Sequence, residues 1–356
     1  MDHWETKNPS GMPLFVAANS GKGFVSFFED VFGRKGIEKR YIIKGGPGTG
    51  KSHLMRQMAA YATSRGRQVE AYCCSSDPDS LDGLVIDGKI AVFDGTAPHS
   101  VDALFPGARD EIVNLGTFWD ADRLSTRYVE IRTLTEKKEA GYRRAYRFLE
   151  ACDQLYEINR SLLLPYVKHE KIERTVTRRL EEIGRGKGFS LLPGLSDAVG
   201  MKGCVHFDTY EKQAKKLYVI EDHHETGALF LRALLTGGMR RECAMRVSYH
   251  PIHVGEPNAV YFCDTGHCFV IGKENAEKET GVCRINMKRF VDAEGVRENR
   301  NKLRINGRMY AALLGAAEET LHDVGKHHFA LEKIYASCMD YESQNRFIRS
   351  FCGKIL

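Results

Sequence analysis

The sequence lacks the features that mark secreted, membrane-spanning and disulfide-rich proteins. No apolar stretch follows a basic N-terminal start, and no apolar run approaches the roughly 20 residues that span a bilayer. The 10 cysteines include no Cys-x-x-Cys pair, and a chain of 356 residues is too long to be a small disulfide scaffold. These absences predict reduced thiols, a cytoplasmic location and no association with a membrane.

The sequence also has little excess of one charge. Its 52 lysine and arginine residues nearly balance its 47 aspartate and glutamate residues, which gives a net charge of +5. A mildly basic balance indicates no particular partner. At 356 residues, the chain is long enough to form two or three compact units.

The most informative pattern that is present is Gly45–Ser52, which fits the phosphate-binding loop motif G-x-x-x-x-G-K-[ST]. It follows an apolar run at 41–43 and precedes a helical pattern at 54–62, which is the strand–loop–helix context that the motif needs. Its glycines allow backbone N–H groups to point at a triphosphate, and the helix N-terminus adds partial positive charge. We predict an ATP site formed by Gly45, Gly46, Pro47, Gly48, Thr49, Gly50, Lys51, Ser52 and His53.

Three residues have specific predicted roles at this site. Lys51 would reach the β- and γ-phosphates, and the Ser52 hydroxyl would bind Mg²⁺. The apolar run 90–93 followed by Asp94 has the Walker B form, so Asp94 is predicted to orient the same Mg²⁺. The predicted catalytic residues are therefore Lys51 and Asp94, and the predicted metal ligands are Ser52 and Asp94.

The residue after Asp94 is Gly95, where many ATP-hydrolysing machines carry a glutamate that activates water. We therefore expect the water activator to come from elsewhere, or hydrolysis to be slow. The candidates are Asp77, Asp79, Asp82 and His99. The alternative for the acidic residues is that they cap their own turns, and the alternative for the histidine is a structural role.

Composition divides the chain into four segments. Residues 1–119 alternate strands with a helix, which predicts an α/β lobe with a mostly parallel sheet. Residues 120–188 are charged and have helical periodicity, which predicts a helical hairpin broken near Pro165. The α/β pattern returns over 189–295, and a helical segment is predicted over 296–356.

The helical segment at 120–188 has an excess of basic residues. A solvated helical face explains this excess better than a nucleic-acid surface does, because no pattern of aromatic residues accompanies the charges. We therefore expect no nucleic acid as the main partner. An unknown protein could bind to the helical arms.

The order of the segments suggests a duplication. With a constant offset of 177 residues, Tyr41–Lys44 aligns with Tyr218–Glu221, and the loop motif aligns with Asp222–Leu229. The second loop has alanine and leucine in place of the motif lysine and serine, and it carries acidic residues where phosphates would lie. We therefore predict one competent nucleotide site and one degenerate lobe. Arg240 and Arg241 could supply a charge-neutralising arginine, with solvated helix ends as the alternative.

Four residues of the second lobe have side chains of the types that bind zinc. They are His250, His253, Cys263 and Cys268, and His267 next to Cys268 is a fifth. Their spacing fits no zinc finger, and the cysteines fall on predicted strands, where small apolar side chains normally pack. The structural interpretation is therefore favoured over a metal site.

Four segments together resemble a poorly characterised bacterial family of duplicated P-loop ATPases or ATP-binding proteins. They are Phe24–Phe28, Ile42–Ser52, Cys74–Gly83 and Phe93–His99. The resemblance covers nearly the whole chain and is most specific in the first half. It implies a P-loop NTPase-type α/β fold and nucleotide binding, but no particular substrate. In that family the second lobe often has its own phosphate loop, and this chain departs from the family there.

The leading hypothesis from these patterns is a Mg²⁺-dependent, ATP-binding NTPase with slow hydrolysis coupled to movement of the helical arms. One alternative is a small-molecule kinase, in which the loop at 77–83 would bind the acceptor. Another is a switch without catalysis, in which nucleotide binding controls the docking of a partner.

Overall fold

A computed structural model of the chain describes residues 13–272 and 281–356. These residues form two α/β lobes, each built on a six-stranded, mostly parallel sheet, together with long helices. This architecture confirms the prediction of a duplicated α/β fold. None of the helices in the described ranges is long and apolar enough to cross a membrane.

The first lobe and its helices occupy the first half of the chain. The elements of the lobe are β1 (Pro13–Phe15), β2 (Ala17–Ser20), β3 (Gly23–Ser26), α1 (Phe28–Phe32), β4 (Lys39–Lys44), α2 (Lys51–Ser64), β5 (Val69–Cys73), β6 (Leu81–Ile86), β7 (Ile90–Asp94) and β8 (Asp110–Asn114). The helices that follow are α3 (Ala121–Thr126), α4 (Tyr128–Leu163) and α5 (His169–Ile183).

The second half repeats this order. The elements of the second lobe are β9 (Ser190–Gly194), β10 (Asp197–Gly200), β11 (Gly203–His206), α6 (Thr209–Gln213), β12 (Lys216–Glu221), α7 (Gly227–Arg240), β13 (Ala244–Tyr249), β14 (Pro257–Phe262), β15 (His267–Gly272) and β16 (Cys283–Asn286). The helices that follow are α8 (Ala293–Ala336) and α9 (Tyr341–Ile355).

The two sheets have the same strand order, and their β4–β7 and β12–β15 pairs have the same register. The first is β1-β5-β6-β7-β4-β8 and the second is β9-β13-β14-β15-β12-β16. In the first sheet Lys39 of β4 lies opposite Ile90, and in the second Lys216 of β12 lies opposite His267. Both pairs keep the offset of 177 residues, so in this strand pair the duplication inferred from sequence extends to the pairing of individual residues.

The sheets depart from a fully parallel arrangement at one strand each. β6 pairs antiparallel with both β5 and β7, and β14 does so with β13 and β15. A hairpin turn produces this reversal in the first lobe, where Asp87 and Gly88 both adopt positive φ angles of 51° and 67°. Successive residues with positive φ are typical of tight β-hairpin turns.

The long helices connect the lobes rather than forming separate hairpins. The chain breaks after α4 in a helical turn at Leu164–Tyr166, as Pro165 predicts. The main partner of α4, however, is α8, which runs antiparallel to it. Gly141 of α4 lies against Val324, whereas Cys152 contacts Tyr310.

The terminal helix of each half packs on the opposite lobe. In α9, Ile348, Phe351 and Cys352 belong to the hydrophobic core that includes α2 of the first lobe. In α5, Val176 and Leu180 belong to the core that includes α7 of the second lobe. Helix α2 is therefore covered by α9, which comes from the second half of the chain, and α7 is covered by α5, which comes from the first half.

Reciprocal contacts join the two halves. The backbone N–H and C=O groups of Phe15 and Leu195 bond to each other at 2.8 and 3.0 Å. The turn after β2 bonds through Gly21 N–H to the Ile252 carbonyl, and the turn after β10 bonds through Met201 N–H to the Ser76 carbonyl. Pairs of mirrored contacts are characteristic of a two-fold arrangement, so the duplicated halves face each other with approximate two-fold symmetry.

Candidate functional site

The loop between β4 and α2 has a backbone shape that depends on glycine. Gly48 and Gly50 adopt φ angles of 71° and 80°, in the left-handed region that glycine enters at little cost. A Cβ atom on Gly48 would also lie 2.4 Å from the Glu332 carbonyl oxygen of α8. Glycine is therefore needed both for the turn and for the close approach of α8.

The loop leads directly into the N-terminus of α2. Gly50 is the N-cap residue and has no side chain with which to accept hydrogen bonds from the first helical turn. The first N–H groups of a helix have no acceptor within the helix, and this end carries a partial positive charge. The start of α2 is thus suited to bind an anionic group.

Lys51 and Asp94 meet at the carboxyl edge of the first sheet. Parallel pairing of β4 with β7 places Asp94 opposite Ile43, two residues before the loop begins. The Lys51 Nζ atom lies 3.6 Å from Asp94 Oδ2 and donates hydrogen bonds of 2.9 Å to the carbonyl oxygens of Gly45 and Gly46. The lysine is therefore held by its own loop, in a position from which it can turn to an anion.

The remaining residues of the motif surround the same point. The Ser52 Oγ atom accepts a hydrogen bond from the Leu81 N–H at 3.0 Å, which leaves its own proton and a second lone pair for another partner. Thr49 Oγ1 donates to the Gly46 carbonyl at 2.8 Å and stabilises the turn. His53 is exposed on the first turn of α2.

The loop borders a cavity of about 980 Å³. Its lining combines the segment Pro47–His53, parts of the loop before β6, the segment after β7, and side chains from α4 and α8. Cavities of this size accommodate a small-molecule ligand. Its walls come from both halves of the chain, so only the folded chain forms the site.

Two of the sequence candidates for water activation are held in ion pairs. Lys202, in the turn after β10 of the second lobe, places its Nζ atom 2.8 Å from Asp77 Oδ1 and 2.7 Å from Asp79 Oδ2. Asp77 also accepts a hydrogen bond from the Ser80 hydroxyl at 3.0 Å. These carboxylates hold the loop together and bind it to the other lobe.

Asp82 and His99 lie deeper in the cavity. Only 3% of Asp82 is exposed, and its Oδ2 atom, 3.6 Å from His99 Nε2, accepts no hydrogen bond from the described residues. Burial raises the pKa of Asp82; the nearby His99 opposes that shift, and repulsion from Asp94 adds to it. The His99 ring stacks on Phe28, with centroids 4.4 Å apart. Asp82 is thus a buried carboxyl group that faces the lysine and aspartate of the loop site.

Several lining residues come from helices that sequence reasoning did not connect with the loop. Tyr142 of α4 donates a hydrogen bond to Ser76 Oγ at 3.0 Å, and Tyr146 donates one to Asn19 Oδ1 at 3.0 Å. Lys138, one turn before Tyr142, also lines the cavity. The four-residue spacing places these side chains on one face of α4, but spacing alone cannot identify what that face contacts.

The C-terminal helices contact the outside of the loop. The Tyr341 hydroxyl donates to the Gly48 carbonyl at 3.2 Å, and Gln344 Nε2 donates to the Thr49 carbonyl at 2.7 Å. Gln344 is fully buried. The start of α9 is therefore bonded directly to the backbone of the loop.

The corresponding loop of the second lobe contains an internal anion. Oδ1 of Asp222 accepts hydrogen bonds from the N–H groups of His224 and Thr226, both at 3.1 Å, and Oδ2 accepts one from the Gly227 N–H at 2.7 Å. The carboxylate thus binds the amides at the start of α7. Ala228, which replaces the motif lysine, is buried.

The other sequence candidates lie away from the cavity. Arg241 donates to the Leu180 carbonyl at 2.9 Å, and neither it nor Arg240 is among the residues that line the cavity. The pair therefore does not supply the charge-neutralising arginine considered from the sequence.

The possible zinc ligands do not converge. The rings of His250 and His253 lie close together after β13, tilted by 31°, whereas the Cys263 N–H bonds to the carbonyl of Ala244, at the opposite end of that strand. Cys268 is fully buried in β15. Across 13–272 and 281–356, no group of three or more potential metal-binding side chains is present.

No protein-family model, curated protein or solved structure matches this chain. The geometry of the site is therefore the basis for assigning a function.

Proposed function

We propose that the chain is a Mg²⁺-dependent, ATP-binding NTPase of the P-loop type, with one competent site in the first lobe and a degenerate second lobe. The observation that supports this most is the open start of α2, with Lys51 and Asp94 only 3.6 Å apart beside it in a cavity. A glycine-rich loop, a lysine ammonium and a helix N-terminus together form an arrangement that binds phosphate groups.

Each residue of the loop site has a role in this proposal. The amides at the start of α2 bind phosphate oxygens, and Lys51 leaves the carbonyls of its own loop to contact the β- and γ-phosphates. Ser52 and Asp94 offer the oxygen ligands that Mg²⁺ prefers, and the bound ion would neutralise phosphate charge. The second lobe cannot do the same, because Asp222 already binds its amides.

Hydrolysis requires a group that orients water, and Asp82 is the candidate that the cavity supports. In the reaction a water oxygen bonds to the γ-phosphorus as the bond to the β–γ bridging oxygen breaks, the electron pair leaves with ADP, and the water proton passes to a base. Asp82 is buried beside Lys51 and Asp94, whereas Asp77 and Asp79 both pair with Lys202. A single buried carboxyl group is consistent with slow turnover.

A small-molecule kinase is the second candidate, and the same carboxyl group favours it. Asp82 could accept the proton of an acceptor hydroxyl in place of water, and a cavity of about 980 Å³ leaves room for a second substrate. Incubation with γ-labelled ATP and a metabolite extract distinguishes the kinase from the hydrolase. Label transfer that depends on an acceptor supports the kinase, and release of labelled phosphate alone supports the hydrolase.

A change in the bound nucleotide would be transmitted to the rest of the molecule through the C-terminal helices. Tyr341 and Gln344 bind loop carbonyls, so a loop that closes on phosphate would shift α9. A protein partner on the helical arms could respond to this change.

The decisive experiment is titration calorimetry with MgATP. Lys51→Ala should weaken binding by roughly 10- to 100-fold, the size expected for a lost charged hydrogen bond of about 1.5–3 kcal/mol. Lys89→Ala, which removes an exposed lysine from a surface ion pair with Glu38, is the control and should bind like the parent protein. Equal MgATP affinity in the parent and in Lys51→Ala would refute the proposal.

A further inference from the structure

The cavity contains a second ammonium group that comes from outside the first lobe. Lys138 of α4 lines the same cavity as Lys51 and is half-buried there. Among the described residues, no carboxylate lies within ion-pair distance of Lys138, although Glu139 is its neighbour in sequence. Two lysines that face one cavity favour a ligand with several negative charges, because each repels the other until an anion lies between them.

The surroundings of Lys138 agree with this interpretation. Burial lowers the pKa of Lys138, and repulsion by Lys51 acts in the same direction against the attraction of Glu139. An anion that entered the cavity would instead stabilise the charged form of Lys138. The charged form of Lys138 is therefore more stable with an anionic ligand in the cavity than without one.

The position of Lys138 is fixed by the packing of α4. One turn further along, the Tyr142 hydroxyl bonds to Ser76, which belongs to the loop before β6. On another face, Gly141 lets α8 approach so closely that a Cβ atom there would lie 2.4 Å from Val324 Cγ2. Contacts on two faces within one turn thus hold Lys138 against the cavity.

We propose that Lys138 contacts the terminal phosphate of a nucleotide bound on the loop and neutralises the negative charge that develops during phosphoryl transfer. This inference rests on the proposed function and adds to it a cation contributed by the helical arm. The role corresponds to that of the charge-neutralising arginine in other phosphoryl-transfer sites. It also connects the arm to the reaction, because a shift of α4 would remove the cation.

The test compares the binding of MgADP with and without aluminium fluoride, which mimics the phosphoryl group in transfer. In the parent protein, aluminium fluoride should tighten MgADP binding. Lys138→Ala should reduce that tightening by about 100-fold, the typical effect of losing one transition-state donor, while the affinity for MgADP alone changes little. Lys138→Arg should restore most of it. Lys137→Ala, which removes the exposed neighbouring lysine, is the matched control.

Each result has a clear consequence. Unchanged tightening in Lys138→Ala, an equal loss in Lys137→Ala, or no tightening in the parent would overturn the role of Lys138. A parent protein that binds neither MgATP nor MgADP would refute the proposed function itself, and the Lys138 role with it. A loss confined to Lys138→Ala, with thermal stability unchanged, supports the inference.

Discussion

Each lobe has a loop between an equivalent strand and helix, and the two loops differ in what lies at the start of the helix. In the first lobe the start of α2 is open, and Lys51 points back to its own loop carbonyls. In the second lobe the start of α7 is occupied by the carboxylate of Asp222. A helix N-terminus favours a negative partner; Asp222 provides it for α7, whereas no side chain caps the start of α2.

The two loops share one backbone feature, a residue with positive φ at the third position before the aligned lysine or alanine. Glu225 aligns with Gly48 at the offset of 177 residues and has a φ of 59°, close to the 71° of the glycine. A glutamate in this conformation is strained. Asn159 of α4 binds its Oε1 atom at 3.3 Å, so contacts with the helical arm help to maintain the conformation.

The largest expected effect concerns the helices that cover the two lobes. Ile348 of α9 and Val176 of α5 are both 3% exposed, in equivalent helices. Ile348→Ala should lower the free energy of unfolding by about 2–5 kcal/mol, and Val176→Ala by less because it removes fewer carbon atoms. Urea denaturation measures both, with the exposed Arg349→Ala as control.

The same pair of variants tests whether α9 is coupled to the loop of the first lobe. Gln344, on the same helix as Ile348, binds the loop of the first lobe. Ile348→Ala should therefore also weaken MgATP binding at a temperature where the protein is folded, whereas Val176→Ala should not. Equal effects of the two variants on MgATP affinity would contradict the proposed coupling between α9 and the loop.

The next effect concerns the internal anion of the second lobe. Asp222→Ala leaves the N–H groups of His224, Thr226 and Gly227 without their acceptor, which should cost about 1–3 kcal/mol of folding stability. Added sulfate should recover more stability in this variant than in the parent, because the vacated amides can bind it. A variant as stable as the parent would show that the carboxylate does not act as the anion of this loop.

A smaller effect is expected from the pH dependence of the second loop. Burial raises the pKa of Glu225 to about 7; the bond from Asn159 opposes that shift, and Asp222 adds to it. The folded state therefore binds the proton more tightly than the unfolded chain, whose glutamate has a pKa of 4.5. This contribution to stability is complete below the unfolded pKa and is lost as the pH rises to about 7, with a slope of at most about 1.4 kcal/mol per pH unit.

Glu225→Gln tests this assignment. The difference in unfolding free energy between the parent and the variant should change between pH 5 and pH 7 and stay constant above pH 8. Urea denaturation at several pH values measures it. A difference that does not vary with pH would mean that Glu225 titrates normally in the folded protein.

The smallest effect is expected from the ion pairs between the lobes. Lys202, which is 40% exposed, binds Asp77 and Asp79, so Lys202→Met should cost less than about 1 kcal/mol. Its counterpart Lys22 donates to the Val254 carbonyl in the second lobe. Thermal unfolding should show a small loss of stability for Lys202→Met and for Lys22→Met. Only Lys202→Met should change the affinity for MgATP. A large stability loss in either variant would show that these contacts hold the halves together.

Much of the fold could be read from local patterns. Apolar runs at 41–43 and 218–220 form β4 and β12, and the shared offset predicted the duplicated strand order that the structure contains. The break at Pro165 was also visible, since proline cannot continue a helix. The antiparallel direction of β6 was not predicted, although Asp87-Gly88 between two apolar runs is typical of a hairpin turn.

The site was predictable only in part. The loop, Lys51 and Asp94 belong to motifs with fixed spacing, and parallel pairing of β4 with β7 brings them together. The contributions of Lys138 and Gln344 were not visible, because these residues lie far from the loop in sequence. Tyr142 follows a helical stripe that indicates burial but not a hydrogen bond to Ser76.

The sequence alone determined where an anion could bind, because a glycine-rich turn, a lysine and a helix start are all local features. It also determined that the second loop differs, because the lysine is replaced there. Only the tertiary structure decided which helices enclose the first loop and that Asp222 fills the second. Those outcomes depend on long-range packing and on which hydrogen-bond acceptor reaches the exposed amides, and neither property is contained in a short stretch of chain.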